Sequence, residues 1–126
     1  MSKHLKLALV GNPNTGKSSL FNALTGLNQK IANFPGVTVE KSTGSFKLPN
    51  GRVAEIVDLP GSYSLYPKSL DEAVPFQVLL NDKHHQHPDL VIYIADSSNL
   101  KRNLMMLTQI IDLGLPVILV SQRATP

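Results

Sequence analysis

Gly11-Asn12-Pro13-Asn14-Thr15-Gly16-Lys17-Ser18 is the stretch on which the rest of the chain is read. It matches G-x-x-x-x-G-K-[ST], and its surroundings complete the match. Before it, Leu5-Lys6-Leu7-Ala8-Leu9-Val10 is a mostly apolar run that stops abruptly at Gly11, the pattern of a strand buried on both faces. After it, residues 17–24 carry Leu20, Phe21 and Leu24 at helical spacing, and Gly26 offers a C-terminal stop. A loop of this kind turns backbone N–H groups inward around phosphate oxygens, and the following helix adds partial positive charge. Gly11 and Gly16 supply the conformational freedom. Lys17 reaches the β- and γ-phosphates as a compact cation, and the Ser18 hydroxyl is placed to ligate magnesium. The nucleotide-binding candidates are therefore Gly11, Asn12, Pro13, Asn14, Thr15, Gly16, Lys17, Ser18 and Ser19.

Moving outward, residues 27–37 hold no period, and Asn28, Asn33, Pro35 and Gly36 mark them as a loop long enough to move. Residues 39–48 and 53–57 flank Pro49-Asn50-Gly51, an Asn-Gly hairpin signal that makes these two strands antiparallel. Ser69-Leu70-Asp71-Glu72 matches a capping box, but Pro75 sits best in a first helical turn, so a short turn at Ser69 and a helix starting near Val74 are expected. Leu90-Val91-Ile92-Tyr93-Ile94-Ala95 is a second buried strand. Leu100, Leu104, Leu107 and Ile111 trace a helical stripe closed by Gly114 and Pro116, and residues 117–120 form the last strand. Strands alternating with helices imply one α/β domain over residues 1–126, with a mainly parallel sheet covered on both faces and no linker or second domain.

A phosphate loop alone leaves GTPase, ATPase and small-molecule kinase open. Asp58-Leu59-Pro60-Gly61 places an aspartate at the end of a strand, where it can hold magnesium through water, while the Gly61 N–H can meet a γ-phosphate. Thr38, between the irregular loop and the hairpin, offers a hydroxyl to magnesium and γ-phosphate. Phosphate loop, loop threonine and D-x-x-G, in that order, make a nucleotide-state switch, because loops held by the γ-phosphate relax when it leaves.

Composition excludes several other classes. The 126 residues contain no Cys, which removes disulfide scaffolds, thiolate zinc sites and cysteine nucleophiles. The longest apolar runs fall far short of the ~20 residues that a membrane-spanning helix needs, and no export signal is visible. Twelve Lys and Arg against nine Asp and Glu leave a net charge of +3, but the basic residues are scattered singly, which argues against nucleic acid as a partner. His84-His85-Gln86-His87 lies beside Asp82 and Asp89, yet contiguous residues on a polar loop do not converge as metal ligands do, so no metal is assigned there.

Four stretches together, the phosphate loop, Asn33-Phe34-Pro35-Gly36-Val37-Thr38-Val39-Glu40, Asp58-Leu59-Pro60-Gly61-Ser62-Tyr63-Ser64-Leu65 with Ser69-Leu70-Asp71-Glu72, and Asp96-Ser97-Ser98-Asn99-Leu100-Lys101-Arg102-Asn103-Leu104, resemble the cytoplasmic G domain of the ferrous iron transport protein B family over about residues 5–120. The resemblance implies a Ras-like P-loop GTPase fold. It also implies a parent iron(II) transporter of the bacterial inner membrane, in which this cytoplasmic domain precedes a helical regulatory domain and a membrane channel. GTP and GDP would be the ligands, with Mg2+ held by Ser18, Thr38 and Asp58. Asn14 would ligate K+ as an activator, and Asn14, Lys17, Thr38 and Gly61 would carry hydrolysis.

Two departures from the family pattern shape the expectations. Family members follow the last strand with an Asn-x-x-Asp element that reads guanine, where this chain has Ser121-Gln122-Arg123-Ala124-Thr125-Pro126. The expected domain is therefore C-terminally truncated, running from the phosphate loop through a fifth strand and lacking its last strand and helices. An exposed sheet edge there invites self-association. Ser62 follows Gly61 where Ras-like enzymes place a water-orienting glutamine, so hydrolysis should be slow. Two readings remain: a slowly hydrolysing GTP switch, or a remnant that folds but binds nucleotide weakly, without base selectivity or turnover. GTPases of ribosome or tRNA maturation would not carry the stretch after Gly61, and a small-molecule kinase suits Thr38 and Asp58 least.

Overall fold

The computed structural model describes residues 4–11, 16–60, 73–84, 86–96 and 100–122, with the backbone alone at 96, 100, 102, 103 and 122. β1 (His4–Gly11) leads to α1 (Lys17–Thr25), followed by β2 (Gln29–Asn33), β3 (Glu40–Lys47) and β4 (Val53–Asp58). A 3-10 turn (Val74–Phe76) runs into α2 (Gln77–Leu80), then come β5 (Leu90–Asp96), α3 (Leu100–Asp112) and β6 (Val117–Gln122). The sheet order is β2-β3-β4-β1-β5-β6. β1 pairs in parallel with β4 and β5, and β5 with β6, while β3 is antiparallel to both β2 and β4. The Ras-like α/β architecture is the one expected.

β1 is central because its sequence can be buried on both sides. Leu7 and Leu9 join Ala54, Ile56 and Ile94 under Phe21 of α1, while Ala8 and Val10 join Val57, Tyr93 and Ala95 under Phe76, Val78 and Leu79 and under Met106 and Ile110 of α3. A strand with alternate residues in two cores reads as an unbroken apolar run, as this one does. The β3–β4 hairpin closes as expected, with Gly51 at φ 88 and its N–H donated to Leu48 O. Pro75 occupies the first helical turn, and the helix beyond it is one short turn. The capping box at residues 69–72 lies outside the described residues.

Residues 27–37 correct the sequence reading. Gln29–Asn33 is a strand, so the sheet has six strands among the described residues instead of five. Its side chains are almost all exposed, which leaves no apolar alternation to detect. It forms because β3 offers a ladder from Gln29↔Gly44 to Asn33↔Glu40, and because the end of α1 is tied to it. Gln29 Nε2 donates to Asn22 Oδ1 at 2.8 Å and to Thr25 Oγ1 at 2.9 Å. Thr25 is buried, and its hydroxyl donates to Phe21 O at 2.8 Å. Gly44 is required opposite it: a Cβ there would lie 2.4 Å from Thr25 Cγ2. No helix among the described residues is long and apolar enough to cross a membrane.

Candidate functional site

The site lies where the parallel strands end. α1 covers one face of β1, and α2 and α3 the other, so the chain diverges to opposite faces at the C-terminal end of β1, where open α/β sheets bind ligands. Gly16 caps α1 at φ 85, ψ 12, a left-handed conformation that costs other residues about 1–2 kcal/mol, and this turn puts Lys17 at the first helical position. Leu20 N donates to Gly16 O at 3.1 Å and sets the first turn. Alongside, Leu59 N donates to Leu9 O at 3.0 Å, which pins the end of β4 to β1 and holds Asp58 beside the start of the loop.

Lys17 and Asp58, 41 residues apart in sequence, meet here. The Lys17 ammonium lies 2.9 Å from Asp58 Oδ1, with the two side chains 10% and 21% exposed. It also donates to the Leu59 carbonyl. Asp58 Oδ1 is buried and, among the described residues, has no partner besides that ammonium, so the oxygen keeps unused acceptor capacity. A buried carboxylate oxygen short of donors suits a hard cation. The Leu59 carbonyl was not singled out in the sequence, and its only signal there is its position next to Asp58.

Thr38 sits in a tight turn. Phe34 N donates to Val39 O at 2.9 Å, Val37 N to Phe34 O at 3.3 Å, and Gly36 has φ 81. Buried Phe34 anchors this turn to the core, with Val37 and Val39 packed beside it and Lys41 Nζ 5.8 Å from its ring centroid. Thr38 and Ser18 are exposed, and neither side chain makes a hydrogen bond to Lys17 or Asp58 among the described residues. Gly11 is buried at the end of β1 and Ser19 is exposed on α1. Asn12, Pro13, Asn14, Thr15 and Gly61 lie outside the described residues, as do Ser62 and residues 123–126.

His84 and His87 of the histidine tract have local partners, while His85 lies outside the described residues. His84 Nδ1 accepts from Gln86 N at 3.0 Å, and His87 Nδ1 lies 3.0 Å from Val78 O. Asp89 accepts from Lys6 N at 2.9 Å and donates its own N–H to Lys6 O, closing the start of β5 onto β1. Among the described residues no group of three or more His, Asp or Glu is placed to share a metal.

The sequence profile of the family described as ferrous iron transport protein B matches residues 5–124. The chain belongs to that family. The FeoB protein of Leptospira biflexa, an Fe(2+) transporter by name, is 50% identical over 118 residues, which is 94% of this chain and 16% of the relative. The chain thus spans about a sixth of the length of the curated FeoB relatives it matches. The solved G domain of the T. maritima FeoB iron transporter superposes with a TM-score of 0.76 at 39% identity, covering 94% of this chain and 87% of that one. The cytosolic domain of the same transporter in its GMPPNP form gives 0.75 at 40% identity over 93% of this chain and 56% of that one. The six-stranded sheet is that of a FeoB G domain.

Proposed function

We propose that this chain is the guanine-nucleotide switch of an iron(II) membrane transporter, binding GTP and hydrolysing it slowly. The observation that carries the reading is the convergence of Lys17 and Asp58 at the C-terminal ends of β1 and β4, at the mouth of a G-x-x-x-x-G-K-[ST] loop. A relative of similar fold is named in its GMPPNP form, which supports a nucleoside triphosphate as ligand. Lys17 would meet the β- and γ-phosphates as a point charge. The phosphate-loop residues 11–19 would supply backbone donors, and the Gly61 N–H and Thr38 would sense the γ-phosphate.

Asp58 Oδ1 fits magnesium as a buried acceptor without an aligned donor, and Ser18 and Thr38 add hydroxyls that no hydrogen bond engages among the described residues. Bound there, Mg2+ would neutralise charge on the β- and γ-oxygens. Ser62 after Gly61 supports slow turnover, since a serine cannot reach to orient water as glutamine does. Asn14 is the candidate potassium ligand. By resemblance the parent would lie in the inner membrane with this domain on the cytoplasmic side, joined to helical and channel domains.

Titration of a fluorescent GTP analogue in magnesium tests the reading. Lys17→Ala should weaken binding by about ten- to a hundredfold, since a charge-assisted contact is worth about 1.5–3 kcal/mol. Equal binding by both proteins would overturn the assignment of the phosphate loop.

A further inference from the structure

From the contact between Lys17 and Asp58 we infer that the Lys17 ammonium is an intramolecular latch on the carboxylate that would hold magnesium, so that a divalent cation enters only after a polyphosphate has drawn Lys17 away. The inference rests on the nucleotide-site reading above and adds an order of assembly to it. Three features carry it. The ammonium is 2.9 Å from Asp58 Oδ1, so a dication held by that oxygen, directly or through one water, would face a like charge close by. Both side chains are mostly buried, 10% and 21% exposed, so water screens that repulsion poorly. The latch also has a fixed second anchor: the Leu59 carbonyl accepts from the ammonium, and Leu59 N is held by Leu9 O at 3.0 Å on the central strand.

A polyphosphate offers Lys17 several negative oxygens in place of one carboxylate and one carbonyl. Once the ammonium turns to it, Asp58 Oδ1, which has no other partner among the described residues, is left to the cation. The device would keep the carboxylate from taking up free divalent ions when no nucleotide is near, which matters in a domain whose parent handles a divalent metal.

The test uses Mn2+ alone as probe, followed by its electron paramagnetic resonance, on the whole chain without nucleotide. Wild type should bind little. Lys17→Met, which keeps the aliphatic stem and removes the charge, should tighten Mn2+ binding at least about tenfold, and Lys17→Met with Asp58→Asn should abolish the gain. Lys17→Gln, checked for native circular dichroism, replaces the methionine variant if that one does not fold. Wild type binding Mn2+ as tightly as the Lys17 variant, or a gain that survives Asp58→Asn, overturns the latch. GTP binding by wild type is measured separately. Binding of GTP without the Mn2+ gain rejects the latch alone, whereas the gain without GTP binding upholds the block on Asp58 and rejects the nucleotide reading.

Discussion

Replacing Gly44 by alanine tests whether the end of α1 and the β2–β3 pair are joined as described. The new Cβ would stand 2.4 Å from Thr25 Cγ2, 2.8 Å from Thr25 Cβ and 3.0 Å from Asn28 O, the closest of them about an ångström inside the 3.4 Å where ordinary contact begins. Thr25 cannot swing aside freely: it is 3% exposed, its hydroxyl is bonded to Phe21 O, and it accepts from Gln29. The clash therefore has to move α1 or β3. Overpacking of this kind costs about 1–3 kcal/mol. Because Thr25 is held on two sides, the cost here sits at about 2–2.5 kcal/mol of that range, and alanine recovers about 0.5–1 kcal/mol because glycine loses more backbone entropy in a strand, leaving a net loss of about 1–2 kcal/mol.

For a chain of this size that loss lowers Tm by about 4–8 °C. Urea denaturation followed by circular dichroism gives the same quantity as a shift of midpoint at constant slope. Thr25→Ser removes the closest atom while keeping the hydroxyl, so in the Gly44→Ala background it should return part of the loss, giving a coupling of about 1 kcal/mol in a double-mutant cycle. A Gly44→Ala protein within about 0.5 kcal/mol of wild type, or two costs that simply add, would refute the packing argument.

Hydrolysis should run faster in potassium than in sodium, and Asn14→Ala should erase the difference; equal rates in an active wild type would remove Asn14 from cation binding. On the remnant reading, GTP and ATP should differ in affinity by less than about tenfold, about 1.4 kcal/mol, because Ser121 and Gln122 stand where a guanine-reading Asn-x-x-Asp is expected. Calorimetry showing a hundredfold preference would mean that other residues read the base, and would reject the remnant reading. Self-association should appear at high concentration, since β6 ends the sheet order with Ile118 and Leu119 each 49% exposed on opposite faces. Leu119→Lys should reduce it, and a monomeric wild type by light scattering would contradict it.

The sequence by itself determined the elements whose signals are local. The apolar run of β1, the Asn50-Gly51 turn and the Gly114–Pro116 stop after α3 each depend on residues close together in the chain, and each forms where its pattern says. The phosphate loop determined a nucleotide-binding class, because its spacing constrains chemistry directly, and only together with the stretches at 33–40, 58–65 and 96–104 did it carry the resemblance to the family. Tertiary structure decided the rest. β2 carries exposed side chains with no period, and it becomes a strand only because β3 and Thr25 are waiting for it across space. The meeting of Lys17 with Asp58 depends on β1 and β4 being adjacent, a pairing between segments more than 40 residues apart. Motif spacing could propose two charges for one site, but only the sheet order shows that they hold each other, and that the carbonyl of Leu59 completes the contact.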